Sequence, residues 1–464
     1  MIAAQDVVER ALRVARADET VVIVTDTSEA ALRWAGNSMT TNGVATGREW
    51  TVVSILRDGP YDARVGSVTA STVEPGEITA VVRAAEDAAA AAAPAKDAMP
   101  LDVDASTAAD GWAGGPGRTD ASVFANLAAG LATGFDGADR LYGFAHHQLH
   151  STWLGASTGL RRHHVQPTGS VEINGKRAPR NSAAGADASA WVGRSTADFR
   201  GLDVAGLLTE LSQRLDWAGR RVELPAGRYP TLLPPSAVAD LMISLMWSME
   251  GRGAHEGHNA WAAPNGGTRV GERLGALPLT LYSDPAAPEL AYRPFVTAGS
   301  SDETVSVFDN GQPTARVDWI RDGAVAALAY PRADAREFAA PFAPMGENLL
   351  LTGGSAAILD DMVARTERGL LLTCLWYIRV VDPATLLLTG LTRDGVYLVE
   401  DGAVTAEVNN FRFNESPLDL LRRATEAGAT ETTLPREWKD WFTRAAVPPL
   451  RIPDFHMSSV SQST

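Results

Sequence analysis

The chain is poor in the residues on which several common kinds of site depend. Its 464 residues include one cysteine, Cys374, and only three lysines, Lys96, Lys176 and Lys439. A single cysteine excludes an intramolecular disulfide and a cysteine-rich zinc module. The formal charge is −15, which disfavours binding to nucleic acid, because that binding needs clustered lysine and arginine.

Long apolar runs and several catalytic motifs are missing as well. No run reaches the ~18 to 20 residues of a membrane helix, and the first residues lack the pattern of a secretory signal. We therefore expect a cytoplasmic protein that binds no membrane and no nucleic acid. The sequence also has no Gly-x-Ser-x-Gly motif, no phosphate-binding loop and no dinucleotide fingerprint between a strand and a helix.

The first 222 residues favour an α/β domain with short strands and flanking helices. Apolar spacing predicts helices over residues 5–17, 76–93, 120–133 and 204–215, and short strands over 21–24, 31–35 and 50–56. A hairpin is predicted over 142–153 and 160–171, and a polar linker over 95–120. Asn42-Gly43 and Asn174-Gly175 are typical of tight turns.

A cluster of prolines between residues 222 and 235 predicts a domain boundary, which gives domains 1–222 and 223–464. An almost wholly apolar helix is predicted over 236–250, with Ser236 as its cap. Short strands follow, separated by turn signals at 310–311, 322–323, 394–395 and 401–402. The second domain is therefore predicted to be largely antiparallel β, a barrel or a sandwich, with one buried helix, and the whole fold to be α+β.

Seven of the eight histidines fall in three clusters. Strand alternation places His146 and His150 on one face of the predicted hairpin and His147 on the other. His163 and His164 lie on the partner strand, so a metal-binding histidine patch across two strands and an ordinary solvated strand face both remain open.

The third cluster lies in the segment 251–258. His255, Glu256 and His258 suggest the two histidines and one glutamate of a zinc peptidase helix. Glycines at 251, 253 and 257 disfavour a regular helix there, so a glycine-rich turn that lines a cleft is the alternative. Cys374 lies in an apolar strand and is predicted to be a core residue.

Three longer segments are similar to the TldD/PmbA family, also called TldD/TldE. They are the Asn-Gly segment 31–43, the stretch 224–230 before the apolar helix, and the hairpins within 369–404. The resemblance spans essentially the whole chain. It implies a cytosolic, heteromeric zinc metallopeptidase that acts on unfolded or ribosomally made peptides. In that family the catalytic subunit carries His-Glu-x-x-x-His on the first helix of the C-terminal domain and a late cysteine ligand.

The resemblance places Trp247, Ser248 and Arg252 at the histidine, glutamate and histidine positions of that motif. Tryptophan does not bind zinc, serine is no general base at neutral pH, and arginine is a permanent cation. The expected region of the late cysteine, 438–448, contains none. The resemblance therefore points to the TldE/PmbA-like subunit, which lacks the zinc motif.

That subunit would have no catalytic residue, no metal and no cofactor of its own, and the zinc would lie in a TldD-like catalytic partner. Arg252, His255, Glu256 and His258 are then candidates for a substrate-binding cleft. The expected partners are the catalytic homologue and unfolded peptides, with a homodimer as another assembly. A second hypothesis remains: a metallopeptidase or peptide-tailoring enzyme that is active by itself through an unusual site at His255, Glu256 and His258.

Overall fold

The computed structural model describes residues 2–71, 74, 76–102, 111–178 and 187–461. Within these ranges the fold is α+β, as predicted, with three mainly antiparallel sheets. No helix among the described residues has the length and apolar character needed to span a membrane.

The N-terminal part contains four α-helices, a 3-10 turn and six strands in its described residues. Their bounds are α1 Ala4–Val14, β1 Glu19–Ala35, β2 Met39–Gly59, β3 Asp62–Ala70, α2 Glu77–Ala91, the 3-10 turn Ala121–Phe124, α3 Ala125–Phe135, β4 Arg140–Ala156, β5 Arg161–Arg177, β6 Ala188–Thr196 and α4 Val204–Trp217.

These six strands form one antiparallel sheet in the order β3-β2-β1-β4-β5-β6. Along β1 the side chains alternate between the two faces. Val22 and Val24 pack with α1 and α2, and Leu32 and Trp34 pack with α3 and α4. The opposite face carries Val21 and Ile23, which pack with residues 295–308 of the C-terminal part. The sheet is thus enclosed at that end by both parts of the chain.

The strands of this sheet are longer than predicted, and two predicted turns are wrong. A single 17-residue strand, β1, replaces the two short strands predicted over 21–35. Asn42-Gly43 lies within β2 and Asn174-Gly175 within β5, both paired in regular register. Strand pairing along this long sheet has overridden the turn preference of the two Asn-Gly pairs. Helices α1 to α4 lie close to where the helical spacing predicts them.

The C-terminal part contains the remaining elements. They are β7 Arg221–Val222, β8 Gly227–Leu233, α5 Pro235–Trp247, α6 Gly251–His255, β9 Thr280–Ser283, the 3-10 turn Val307–Asp309, β10 Val317–Arg321, β11 Ala324–Val325, α7 Arg332–Glu337, β12 Leu349–Thr352, α8 Leu359–Ala364, β13 Arg368–Leu372, β14 Leu375–Asp382, β15 Leu387–Thr392, β16 Val396–Glu400, β17 Ala403–Val408, β18 Phe411–Glu415, α9 Pro417–Arg423, β19 Glu426–Ala427, β20 Glu431–Thr433, β21 Ala445–Val447 and β22 Leu450–Val460.

Two sheets form around α5. One has the order β11-β10-β9-β12-β21-β20, and the other runs β14-β15-β18-β22-β8-β13-β16-β17-β7, with β19 paired to β22. The described strands form no closed barrel. The first twelve residues of α5 are buried, and the helix contacts strands of both sheets. The prediction of one buried helix is therefore confirmed.

In the C-terminal part, two of the predicted turns form, whereas the predicted cap of α5 does not. Asp322-Gly323 and Asp401-Gly402 form hairpin turns with positive φ at both residues. Ser236 does not cap α5, because Pro234 holds that position and the Ser236 hydroxyl donates to the Thr373 carbonyl.

The polar segment 95–120 carries no helix or strand in its described residues 95–102 and 111–120. Ala98 and Leu101 nonetheless pack into the cluster between the first sheet and residues 295–308. Residues 103–110 of the predicted linker lie outside the described ranges. The boundary at 222 stays a prediction.

Candidate functional site

The three motif positions lie on two helices joined by a short connection. Trp247 is the last residue of α5, Ser248 follows as its C-cap, and Arg252 lies in α6. The glycines were expected to disfavour a regular helix here, and α6 is a single turn of five residues. Its N-cap Glu250 accepts a hydrogen bond from the Gly253 amide at 2.7 Å.

The glycines of α6 have a packing role. A Cβ at position 251 would lie 2.1 Å from the Tyr330 ring, and one at position 253 would lie 2.5 Å from the Glu250 carboxylate. The Tyr330 ring leaves no room for a Cβ at position 251, whereas the Glu250 side chain could move away from one at position 253. Gly251 therefore lets α6 approach Tyr330 closely.

Arg252 is held by acidic side chains from α7. Its Nη2 donates to Asp334 Oδ1 at 2.6 Å and to Glu337, and its Nη1 lies 3.4 Å from Glu256 Oε1. The guanidinium also lies over the Phe338 ring, 5.1 Å from its centroid. Hydrogen bonds from Arg252 lower the pKa of the Glu337 carboxyl. The guanidinium thus offsets part of the negative charge of these three carboxylates.

His255 and His258 have different surroundings. The His255 ring stacks on Phe338 with centroids 4.1 Å apart and an interplanar angle of 4°, and its Nε2 is joined to Tyr330 Oη by a 3.2 Å hydrogen bond. The His258 side chain is exposed, with Nδ1 3.4 Å from Glu256 Oε2. Of the predicted cleft residues, Arg252, His255 and Glu256 therefore come together around α7, while His258 lies at the solvent side.

The residues at the other motif positions make aromatic and hydroxyl contacts. The Trp247 ring packs edge-on against Trp438 and Phe442, with centroids 5.1 and 6.1 Å apart. Ser248 accepts a hydrogen bond from Trp261 Nε1 at 3.0 Å. The segment 438–448, in which the resemblance expects a late cysteine, thus does approach the first motif position, but with aromatic side chains.

These surroundings do not fit a zinc ion. Among the described residues no three His, Cys, Asp or Glu side chains are grouped so that they could hold a metal. The positive guanidinium of Arg252 lies among the carboxylates that a cation would otherwise attract. Cys374 is fully buried elsewhere, and burial raises the pKa of its thiol to about 12, so it is no thiolate ligand at neutral pH.

A crevice lies between the first sheet and the segment that follows β20. One section, of about 320 Å³, is lined by Phe144, His146, Glu172 and Lys439 among others. A second section, of about 780 Å³, extends to Arg444. Both sections share Thr168, Gly169 and Thr443 in their lining. Of the strand histidines that the sequence singled out, only His146 lines this crevice.

The crevice brings together charges from both parts of the chain. His146 Nε2 lies 3.0 Å from Glu29 Oε2, and Lys439 Nζ lies 3.2 Å from Glu172 Oε1. Arg444 donates to the Thr168 hydroxyl but forms no ion pair among the described residues. Burial lowers the pKa of the Arg444 guanidinium, which still stays charged at neutral pH.

The strand histidines form no common metal site. His147 is buried on the opposite face, where it bonds to Thr119 Oγ1 at 2.6 Å and to the Ala197 carbonyl at 2.9 Å. His164 Nε2 bonds to Gln166 Oε1 at 3.2 Å, and the His163 ring packs on Trp153. Burial lowers the pKa values of His147, His150 and His164, which favours their neutral forms.

Several contributors to the site gave no signal in the sequence. Tyr330, Asp334, Glu337 and Phe338 follow Arg252 by about 80 residues. Two acids three residues apart on a short helix are common at protein surfaces, so only the fold shows that Asp334 and Glu337 bind Arg252.

Comparison with known proteins gives a family model and several similar structures. A model of the PmbA/TldA metallopeptidase C-terminal domain matches residues 226–459, just over half of the chain. No curated protein sequence matches.

Three solved structures have a similar fold over nearly their whole length. TldE from Thermococcus kodakarensis gives a TM-score of 0.77 at 17% identity and covers 98% of this chain and 99% of its own. A protein described as a modulator of DNA gyrase from Bacteroides thetaiotaomicron gives 0.75 at 15%, with 98% of each chain covered. Another so described from Thermotoga maritima gives 0.74 at 15%, covering 97% of this chain and 99% of its own.

Proposed function

Because this chain belongs to the PmbA/TldD metallopeptidase family, we propose that it is the TldE-like, non-catalytic subunit of a heteromeric zinc peptidase. It would act in the cytoplasm with a TldD-like catalytic homologue that supplies the zinc. Its substrates would be unfolded or ribosomally made peptides. The chain itself would bind and position the peptide.

The observation that carries this proposal is the bonding of Arg252. A histidine at that position would be a metal ligand in the catalytic subunit, according to the resemblance. Here a guanidinium takes the position, and Asp334 and Glu337 hold it in place. A fixed positive charge opposes the binding of Zn²⁺ at short range, and without a bound metal there is no water whose pKa is lowered toward ~7.

The crevice supports a proposed role of this chain in binding substrate. An extended peptide offers main-chain hydrogen-bonding groups, side chains and a terminal carboxylate. Arg444, which has no ion pair among the described residues, can receive such a carboxylate by a charge-assisted hydrogen bond. Thr168 and Thr443 add hydroxyl groups beside it. These groups bind and orient a peptide without chemistry of their own.

The test is cleavage of an unfolded peptide by this chain alone, by the catalytic homologue alone and by the mixture. We expect no cleavage by this chain alone and chelator-sensitive cleavage by the mixture. Zinc content by elemental analysis should be far below one ion per chain. Stoichiometric zinc after mild chelation would contradict the proposal.

The double variant His255→Ala/His258→Ala separates the proposal from its alternative. In the proposed subunit the variant leaves the activity of the mixture within a few-fold, because neither ring holds a metal. An enzyme active by itself through His255, Glu256 and His258 would lose chelator-sensitive cleavage in the same variant. The stacking of His255 on Phe338 favours the first outcome.

Assembly is tested independently by sedimentation of the chain with and without the homologue. We expect a mixed complex. A homodimer that excludes the homologue, or two chains that stay separate, would contradict the heteromeric assembly. These outcomes do not depend on the peptide used.

A further inference from the structure

A threonine and a histidine are coupled on the face of the first sheet that points away from the crevice. Thr119 Oγ1 lies 2.6 Å from His147 Nδ1, and His147 Nε2 lies 2.9 Å from the Ala197 carbonyl oxygen. A carbonyl oxygen can only accept, so Nε2 of the neutral ring carries the hydrogen and Nδ1 keeps its lone pair. The Thr119 hydroxyl therefore donates to a neutral imidazole.

The rest of the fold holds this pair in place. The Thr119 amide donates to Ser28 Oγ at 3.1 Å, and Ser28 is buried on β1. The His147 side chain is buried, and its ring packs edge-on against Phe199, with centroids 6.1 Å apart. A hydroxyl, a base bonded to it and a group that orients the base are the arrangement by which proteins activate a nucleophile. Here Thr119, His147 and the Ala197 carbonyl take these three places.

Backbone strain lies next to the pair. Phe199 has φ +61°, in the left-handed region that a bulky side chain rarely adopts. Its amide donates to Thr196 Oγ1 at 3.0 Å, and its ring packs edge-on against Phe124 with centroids 4.9 Å apart. Strained residues of this kind are concentrated at active sites and ligand sites. Phe199 is therefore an observation, independent of the hydrogen bonds, that favours a functional role for this place.

The pair opens onto a cleft of about 620 Å³. Its lining includes Arg118, Thr119, Val123, His147 and Phe199. Thr119 is partly exposed, so a small molecule in the cleft can approach its side chain. The apolar side chains of Val123 and Phe199 suit a short acyl group.

The charges of the cleft leave one cation available. Asp120 Oδ1 accepts from the Ser122 amide at 2.8 Å, and Asp198 Oδ1 accepts from the Arg200 amide at 2.9 Å. The Arg200 guanidinium lies 3.5 Å from Asp198. Arg118 also lines the cleft and forms no ion pair among the described residues. It can therefore stabilise negative charge that develops on a substrate oxygen.

We propose that Thr119 and His147 form a metal-independent site that hydrolyses short-chain carboxylic esters. Thr119 Oγ1 attacks the ester carbonyl carbon while its proton passes to His147 Nδ1. The tetrahedral intermediate expels the alcohol oxygen, which takes that proton, and the acyl group stays on Thr119. Water then attacks this acyl-threonine ester, His147 again carries the proton, and the products are the free hydroxyl and the carboxylic acid. This activity does not depend on the subunit role proposed above.

The chemistry of the pair favours an ester over a peptide bond. Burial lowers the pKa of His147, although the Ala197 carbonyl and Asp198 act in the opposite direction. A ring with a lowered pKa is neutral at pH 7 but is a weak base. It suits a substrate whose alcohol or phenol leaves more readily than an amine does.

The pH profile gives a signature of the base. The charged and titratable groups around His147 are Asp198, Arg200, Arg118 and Asp120 in the cleft and His146 beside it on β4. Acylation should follow the neutral form of His147, and its rate should rise with pH to a plateau with a midpoint below the ordinary value of ~6.5. A rate that keeps rising above pH 8 would show that hydroxide or an amine is the reactant and would overturn the role of His147.

The test uses the chain alone with 4-nitrophenyl acetate in the presence of EDTA. We expect release of nitrophenolate and, after quenching in acid, one acetyl group on Thr119 by peptide mass spectrometry. Acetyl groups found only on lysines or the amino terminus would overturn the proposal. So would a release of nitrophenolate that stops when the chelator is added. The position of the acetyl group is read from the unaltered protein, so it needs no variant that folds.

Variants then assign the two roles. Thr119→Val and His147→Gln should each lower kcat/KM for the ester at least tenfold, whereas Thr119→Ser keeps a hydroxyl and should stay within threefold. Thr209→Val is the matched control, because its exposed hydroxyl donates only to the Ala205 carbonyl on α4, and it should change kcat/KM less than twofold. Equal activity of Thr119→Val and the unaltered chain, at unchanged circular dichroism, would overturn the proposal.

The two proposals fail separately. Ester hydrolysis is measured without the catalytic homologue, without zinc and without a peptide. If Thr119 is acetylated but the mixture of subunits cleaves no peptide, the subunit assignment fails alone. If the mixture cleaves peptide but Thr119 is never acetylated, the ester-hydrolysing site fails alone.

Discussion

Arg252 offsets part of the negative charge of acidic side chains that would otherwise repel one another. Asp334 is largely buried, and the Arg252 side chain is 29% exposed. We predict that Arg252→Met lowers the free energy of unfolding by about 1 to 3 kcal/mol, since charged hydrogen bonds are lost and Asp334 keeps no cationic partner among the described residues. Urea denaturation measures this change.

Two further substitutions control for the loss of an arginine as such. Arg200→Met removes a guanidinium that is 90% exposed and 3.5 Å from Asp198, and it should change stability by less than ~0.5 kcal/mol. Arg252→Lys keeps the charge without the planar fork and should fall between the two. An effect at Arg200 as large as that at Arg252 would contradict the role of Asp334 and Glu337.

His150 leads to a prediction of how the stability of the fold depends on pH. Burial, assisted by the charges of Arg293 and Arg444, lowers its pKa in the folded chain, while Glu29 and Glu347 act in the opposite direction. A histidine with a lowered folded pKa takes up its proton more readily when unfolded. Its contribution to stability therefore falls as the pH drops below the unfolded value of about 6.5.

The variant His150→Gln isolates this effect from other titrating groups. The wild-type chain should lose stability relative to the variant as the pH falls from 7.5 to 5.5, as measured by urea midpoints. A constant difference between the two chains across that range would contradict the assigned direction.

At the scale of elements, Asp240 joins α5 to the segment that follows β20. Its buried carboxyl group accepts hydrogen bonds from the amides of Arg436, Glu437 and Trp438, at 3.2, 2.9 and 3.4 Å, and burial raises its pKa well above the ordinary value. Asp240→Ala leaves these amides without that acceptor and should cost about 3 kcal/mol or more, since each buried group left unsatisfied costs about 1 to 3 kcal/mol. Ser244→Ala, one turn later, should cost about 1 kcal/mol or less. Similar losses in guanidinium unfolding of both variants would contradict this anchoring role.

Among the helices and strands, the sequence predicted some features correctly and others wrongly. The spacing of apolar residues predicted α5 and its burial, because a helix that is apolar on all sides has no solvent face. The pair Asn174-Gly175 predicted a turn that does not form, because its glycine serves close packing instead. A Cβ at position 175 would lie 2.9 Å from Leu215 and 3.0 Å from Leu211, so it allows α4 to pack closely against β5.

Only the part of the candidate site that is formed by residues close together in sequence could be predicted. Arg252, His255 and Glu256 are neighbours in sequence and share one helical turn or its C-cap. Their partners Asp334 and Glu337 lie on α7, and no periodicity connects the two helices. Trp247 was predicted to replace a ligand, but only the fold shows that Trp438 and Phe442 pack against it.

At the scale of the molecule, the largest core lies entirely after residue 222. It surrounds α5 and draws its buried members from both C-terminal sheets. We predict that a fragment of residues 219–464, which retains β7, folds and unfolds cooperatively in a calorimeter. A non-cooperative transition would show that the fragment needs the first sheet. The isolated segment 1–218 provides the matched comparison.

Residues 39–47 of β2, which among the described residues pair only with β1, and the formal charge of −15 together affect how the protein behaves in concentrated solution. Electrostatic repulsion between like-charged molecules extends about 10 Å at 0.1 M salt and about 3 Å at 1 M. Added salt should therefore let these strand edges of neighbouring molecules meet, and turbidity should begin at lower protein concentration. In this sense the acidic surface acts as a colloidal stabiliser.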